Sequence, residues 1–203
     1  QQAIVLPVGT LAASRHAEVP SAEAMLTAGA DFVIMPGNGV CGGPPCGIII
    51  GPEEEMRHIQ ESNAWASLQA NDALQAMMLV TLELATSDAD LIPVRALLDT
   101  NEENLRARAE RLATRLSGSD RIQSCQITAD EAKLTREGRW RLPSRQVRLR
   151  HASLSAEDWT RELLEELPAV IATIDGEALR IDLRWIAPSD DAKLAEALGG
   201  KIE

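Results

Sequence analysis

The chain opens on two short runs without polar alternation, AIVLPVG at 3–9 and ADFVIMPG at 30–37, each closed by glycine. Strands buried on both faces carry this pattern. Between them SAEAMLTAGA begins with Ser21, a good N-cap residue, and continues at helical spacing, so a strand–helix–strand unit with a parallel sheet is expected. The following turn, NGVCGGPPC, is too short for a crossover helix, and residues 47–51 should return antiparallel beside the preceding strand. From Pro52 a helix is predicted, with Glu53, Glu54 and Glu55 at the positive end of its dipole. Residues 72 to about 86 are apolar almost all round, through Leu74, Met77, Met78, Leu79 and Leu82, which predicts a helix buried between two bodies.

TSDADLIP, at 86–93, reads as a join, giving an expected division into 1–87 and 88–203. Beyond it Thr100 and Glu103 have capping-box spacing, Leu105, Ala109, Leu112 and Leu116 share a helical face, and Gly118 is a stop. RIQSCQIT and RQVRLRHA alternate like strands, with a polar loop or weak hairpin at 130–144 between them. Leu154, Ser155 and Asp158 open a helix that should place Trp159, Leu163 and Leu167 on one face. AVIATIDGEALRIDLRWI is a hairpin around Asp175-Gly176; alternation puts Leu179, Ile181, Leu183 and Trp185 inside and Arg180, Asp182 and Arg184 outside. A short helix at 190–198 completes the second half, an α+β layer of about four strands with helices on one face. The fold class is therefore α/β followed by α+β.

Composition narrows the function. With 20 Lys and Arg against 31 Asp and Glu, the net charge is -11, and a nucleic-acid backbone meets repulsion. Four Trp, one Phe and no Tyr leave few platforms for stacking bases. Three cysteines, Cys41, Cys46 and Cys125, are too few and oddly numbered for a stapled secreted domain, which implies a reducing compartment. No apolar run reaches the roughly 18–20 residues of a membrane span, so a cytoplasmic location is expected. The start, QQAIVLPVG, lacks methionine and enters a strand at once, as though cut from something longer.

Few residues suggest chemistry by themselves. Cys41 and Cys46 enclose GGPP; His16 and His58 have no ligand-like spacing to them, and the pattern is not the redox C-x-x-C, so the pair reads as structural. Gly42 and Gly43 could cradle a phosphate through backbone N–H groups or simply permit a tight turn. The Lys-Ser/Thr ending of a nucleotide-binding loop is absent. His151 follows Arg145, Arg148 and Arg150, the nearest thing to a basic patch, which reads as a solvated strand face. No carboxylate pair stands out from the charged helix faces.

Residues 18–51, EVPSAEAMLTAGADFVIMPGNGVCGGPPCGIIIG, resemble the active-site region of bacterial selenocysteine synthase, the L-seryl-tRNA(Sec) selenium transferase family. AGAD at 28–31 and GGPPCG at 42–47 match that family's motifs without a gap between them, and the similarity continues more faintly to the small C-terminal domain. The resemblance implies the aspartate-aminotransferase fold (fold type I), here the end of a large domain, a connecting helix and a small domain. It also implies pyridoxal phosphate (PLP), held as a Schiff base by a lysine three places before Gly-Gly-Pro.

That position is Gly39, with Asn38 where the family's neighbouring aspartate stands. The acid expected to pair with the pyridinium nitrogen falls near Leu6 or Pro7, and two family arginines fall on Ala66 and Gln69. The resemblance thus implies a degenerate relative, with no catalytic residue, no PLP and Gly42 and Gly43 as the remaining cofactor-side candidates. Its partners would be copies of itself or a missing N-terminal part. An active PLP transferase on seryl-tRNA or a small amino acid, borrowing a lysine from elsewhere, is the alternative. A thiol-dependent site at Cys41 and Cys46 is a third possibility.

Overall fold

The computed structural model describes residues 2–16, 18–135 and 137–199. The chain forms two compact units, Gln1–Asp99 with Leu134–Trp140, and Thr100–Lys133 with Arg141–Glu203. The first compact unit thus runs on to Asp99. Ile92 and Val94 explain this locally, because their side chains lie against the Gly42 backbone and hold that stretch to the first unit.

In the first unit, β1 (Ala3–Val5) pairs parallel with β2 (Phe32–Pro36), and β3 (Gly47–Ile50) pairs antiparallel with β2 on its other side. Helix α1 (Ala22–Thr27) makes the crossover, and the Ser21 hydroxyl accepts the Ala24 N–H at 3.2 Å as its cap. Leu6, Ala22, Val33, Met35, Cys41 and Met78 form the buried cluster. Helices α2 (Glu53–Gln60), α3 (Trp65–Leu68), α4 (Asp72–Ser87) and α5 (Pro93–Asp99) follow. Asn71 caps α4, its side chain accepting the Leu74 N–H at 3.0 Å.

Burial of α4 all round is not what the structure has. Met78 and Thr81 are buried, whereas Met77, Leu79 and Val80 are 54%, 58% and 53% exposed. One stripe of an apolar helix is enough to seat it on a three-stranded sheet, and the other stripe stays open.

The second unit is a four-stranded antiparallel sheet in the order β4 (Ile122–Thr128), β7 (Gln146–His151), β9 (Ala178–Asp182), β8 (Thr173–Asp175). Within 130–144 a small ladder forms from β5 (Glu131–Lys133) and β6 (Arg141–Pro143). Helices α6 (Glu102–Leu116), α7 (Ala156–Glu165) and α8 (Asp191–Gly199) cover one face. Leu105, Ala109, Leu112 and Leu116 meet Val147, Leu149, Leu179 and Ile181 there, with Trp159 fully buried among them.

Four local expectations need correction. The cap of α6 is Asn101, which accepts the Asn104 N–H at 2.7 Å, while Glu103 pairs with Arg106 instead of reaching back to Thr100. Helix α7 ends at Glu165, so Leu167 misses the stripe and is 95% exposed. The hairpin loop is Gly176-Glu177, with Gly176 at φ 62. After Asp182 the strand turns into a 3-10 segment, Leu183–Trp185, whose Arg184 N–H is accepted by the Asp182 carboxylate; alternation stops, Arg184 is 1% exposed and Trp185 is 36% exposed.

Candidate functional site

The turn at 37–47 is built from its own backbone. Gly37 N–H donates to Cys46 O at 2.7 Å, Gly43 N–H to Gly37 O at 2.8 Å and Gly42 N–H to Gly39 O at 3.0 Å. A 3-10 turn, Gly39–Cys41, ends on Gly42 in the left-handed region at φ 79. A Cβ on Gly42 would stand 2.3 Å from Ile92 Cγ2, and one on Gly43 would stand 2.8 Å from Met78 Sδ. Close packing therefore accounts for the glycine pair. Both N–H groups are committed to carbonyls of the turn, with which a ligand phosphate would have to compete.

Gly39 differs. It sits at φ 67, but a Cβ there would meet nothing within 4 Å. The position has room and no functional group. The whole first unit contains no lysine: the chain's three are Lys133, Lys193 and Lys201, of which Lys201 lies outside the described residues. Lys133 belongs to β5, and Lys193 pairs with Asp190 at 3.0 Å in the second unit. Leu6 is buried and donates its N–H to Ile34 O at 2.9 Å, so no carboxylate stands at that place in the strand. Ala66 and Gln69, at α3, are exposed and uncharged. These residues do not fit a PLP Schiff base, which requires a primary amine, and they offer no acid to the pyridinium nitrogen.

What the turn does hold is sulfur. Cys41 is buried and Cys46 half-buried, both as free thiols. Burial raises the Cys41 pKa above the usual thiol range, the neighbouring Cys46 adds to this, and the Arg95 guanidinium opposes it. Arg95, on α5, pairs loosely with Asp99 at 3.9 Å. Met78, from α4, closes the other side of the turn.

His16 holds Leu98 O through Nε2 at 2.7 Å, and His58 is exposed on α2. His151 accepts the Ser153 and Leu154 N–H groups at Nδ1, at 3.1 and 3.0 Å, and meets Trp159 edge-on at 5.1 Å. The arginines in and just before β7 are paired with carboxylates: Arg145 with Glu102 at 2.5 Å, Arg148 with Asp175 at 3.1 Å, and Arg150 with Glu177. Arg148, Arg150, Asp175 and Glu177 line an open polar hollow of about 560 Å³ together with Gln123 and Gln126.

Sequence reasoning missed Arg108 and Arg184. Arg108 is buried in a bidentate pair with Asp191, 2.9 and 2.6 Å, and also donates to Ile186 O at 2.7 Å. Arg184 donates to Pro143 O at 2.6 Å and Thr100 O at 3.0 Å. A signal for Arg108 existed, since it lies on the same helical stripe as Leu105 and Leu112.

The L-seryl-tRNA(Sec) selenium transferase of Alkaliphilus metalliredigens is 25% identical over 187 residues, covering 90% of this chain and 40% of the relative. That of Carboxydothermus hydrogenoformans is 29% identical over 173 residues, 82% of this chain and 37% of the relative. The chain thus spans about two fifths of the length of these curated relatives. Among solved structures, a D-glucosaminate-6-phosphate ammonia-lyase superposes with a TM-score of 0.58 at 16% identity, over 97% of this chain and 47% of that one, which establishes the shared fold. Residues 10–187 match the family described as L-seryl-tRNA selenium transferase, and the chain belongs to that family.

Proposed function

We propose that this chain is a catalytically degenerate member of its family, kept as a structural or binding subunit in the cytoplasm. The observation that carries the reading is Gly39. It stands in open space where the family's Schiff-base lysine is expected, in a unit without any lysine. The uncharged residues at the acid position, Leu6 or Pro7, and at the two arginine positions, Ala66 and Gln69, support it, since together with Gly39 four positions would have to be compensated for PLP chemistry to persist. In this reading the first unit is the end of a PLP-type large domain with its connecting helix, and the second is the small domain. The apolar stripe of α4 and the exposed Val5 on edge strand β1 would be covered by a second copy or by further sequence of the same protein.

The test is an absorbance titration of the full-length protein with PLP, followed by borohydride reduction and peptide mapping. No aldimine band and no pyridoxyl-lysine is the expected result, with the protein folded and oligomeric by light scattering. A reduced pyridoxyl-lysine anywhere in the chain overturns the proposal in favour of an active transferase on seryl-tRNA or a small amino acid. Gly39→Lys is the matched control. The left-handed backbone there costs a side chain about 1–2 kcal/mol, so the variant should fold and show whether a lysine at this position takes up the cofactor.

A further inference from the structure

The turn that lacks an amine gathers three sulfur atoms from two distant parts of the chain. Cys46 Sγ lies 2.7 Å, and Met78 Sδ 3.2 Å, from the point where a Cβ on Gly37 would stand, so the two sulfurs are near neighbours. Cys41 belongs with Met78 to the buried cluster of this unit, and Cys46 packs against that same cluster. Gly37 and Gly43 are what admit these sulfurs, because a side chain at either position would occupy their space.

The donor set is chemically selective. Among the described residues no group of three His, Cys, Asp or Glu side chains could hold a metal ion, so hard cations and four-coordinate zinc have no site here. Two thiolates and a thioether in an apolar shell are soft ligands, which suit Cu(I). Pro44 and Pro45 between the cysteines stiffen the loop. Half-buried Cys46 gives a path of entry, and the Arg95 guanidinium near Cys41 offsets the negative charge that two thiolates around one monovalent ion would leave.

We propose that Cys41, Cys46 and Met78 form a three-sulfur site for Cu(I). On binding, each cysteine forms a Cu–S bond as its S–H bond breaks and the proton passes to solvent; copper remains Cu(I), and no electron is transferred. The site goes beyond the degenerate-subunit reading and is independent of it, since PLP titration and copper titration report on different groups.

The experiment titrates the full chain, anaerobically and with a non-thiol reductant, against the coloured Cu(I)–bicinchoninate complex. One equivalent of copper should transfer, with an ultraviolet thiolate-to-copper band and a rise in Tm. Cys46→Ser should abolish transfer. Met78→Leu, close in volume, should weaken it by at least the ~10-fold that outer-shell changes already cost at metal sites, while Cys125→Ser leaves it unchanged. Failure of the wild type to take copper overturns the site, as does equal transfer to Cys46→Ser. Unaltered affinity in a folded Met78→Leu protein overturns the three-sulfur assignment.

Discussion

The two units solve the problem of a buried interior differently. The second has a continuous aliphatic core around Trp159, and its two deeply buried arginines, Arg108 and Arg184, are held by a carboxylate and by main-chain carbonyls. The first has a smaller cluster, closed by backbone-on-backbone contacts at glycines and by sulfur, and leaves Met77, Leu79 and Val80 in the open. One unit is specified by charge placed inside it; the other depends on the absence of side chains.

The largest effect should come from unbalancing that internal charge. Asp191→Ala leaves the buried Arg108 guanidinium without its bidentate partner and should cost the second unit about 3–5 kcal/mol, as loss of one member of a buried pair does. Arg108→Met removes the charge along with the pair and should cost clearly less, although Leu183 O and Ile186 O then lose a donor. Urea denaturation followed by hydrogen exchange in α6 and α8 measures both. Equal losses would mean that the guanidinium acts through packing rather than charge.

In the first unit the comparable test is steric. Gly42→Ala adds a methyl 2.3 Å from Ile92 Cγ2 at a left-handed backbone position and should cost about 1–3 kcal/mol of overpacking and strain. Gly39→Ala, with open space around it, should cost only the backbone term, about 1–2 kcal/mol. Ile92→Ala in the Gly42→Ala background should restore part of the loss, and a double-mutant cycle reads the coupling. Additive losses would place the cost of Gly42→Ala in the backbone alone.

Period and loop length made most of the fold legible. The apolar runs at 3–9 and 30–37, one capped helix and a turn too short for a crossover are enough to dictate a parallel pair followed by an antiparallel strand. What escaped were choices that only tertiary contact decides. Thr100 and Asn101 are both acceptable caps, and the geometry selects Asn101. Arg184 follows the outward parity of Arg180, and the alternation rule fails there because the Asp182 carboxylate starts a 3-10 turn. In the candidate site the glycine turn was readable locally. Its Met78 and Arg95 walls were not, because they come from helices far along the chain and carry no local pattern that points back to Cys41.

The smallest effect expected is one of pH, and it belongs to the second unit. Burial, followed by the nearby Arg121 guanidinium, holds the His151 pKa below its ordinary value, with Glu162 opposing them. In the unfolded chain the imidazole titrates near about 6.5. Between the two values the unfolded state binds more protons than the folded one, so stability is fully present above the unfolded value and is lost as pH falls through the folded one. His151→Asn keeps a side-chain acceptor for the Ser153 and Leu154 N–H groups and removes the titration. The variant should therefore show a flatter decline in denaturant midpoint between about pH 8 and about pH 5 than the wild type. A parallel decline in both proteins would locate the proton uptake elsewhere than His151.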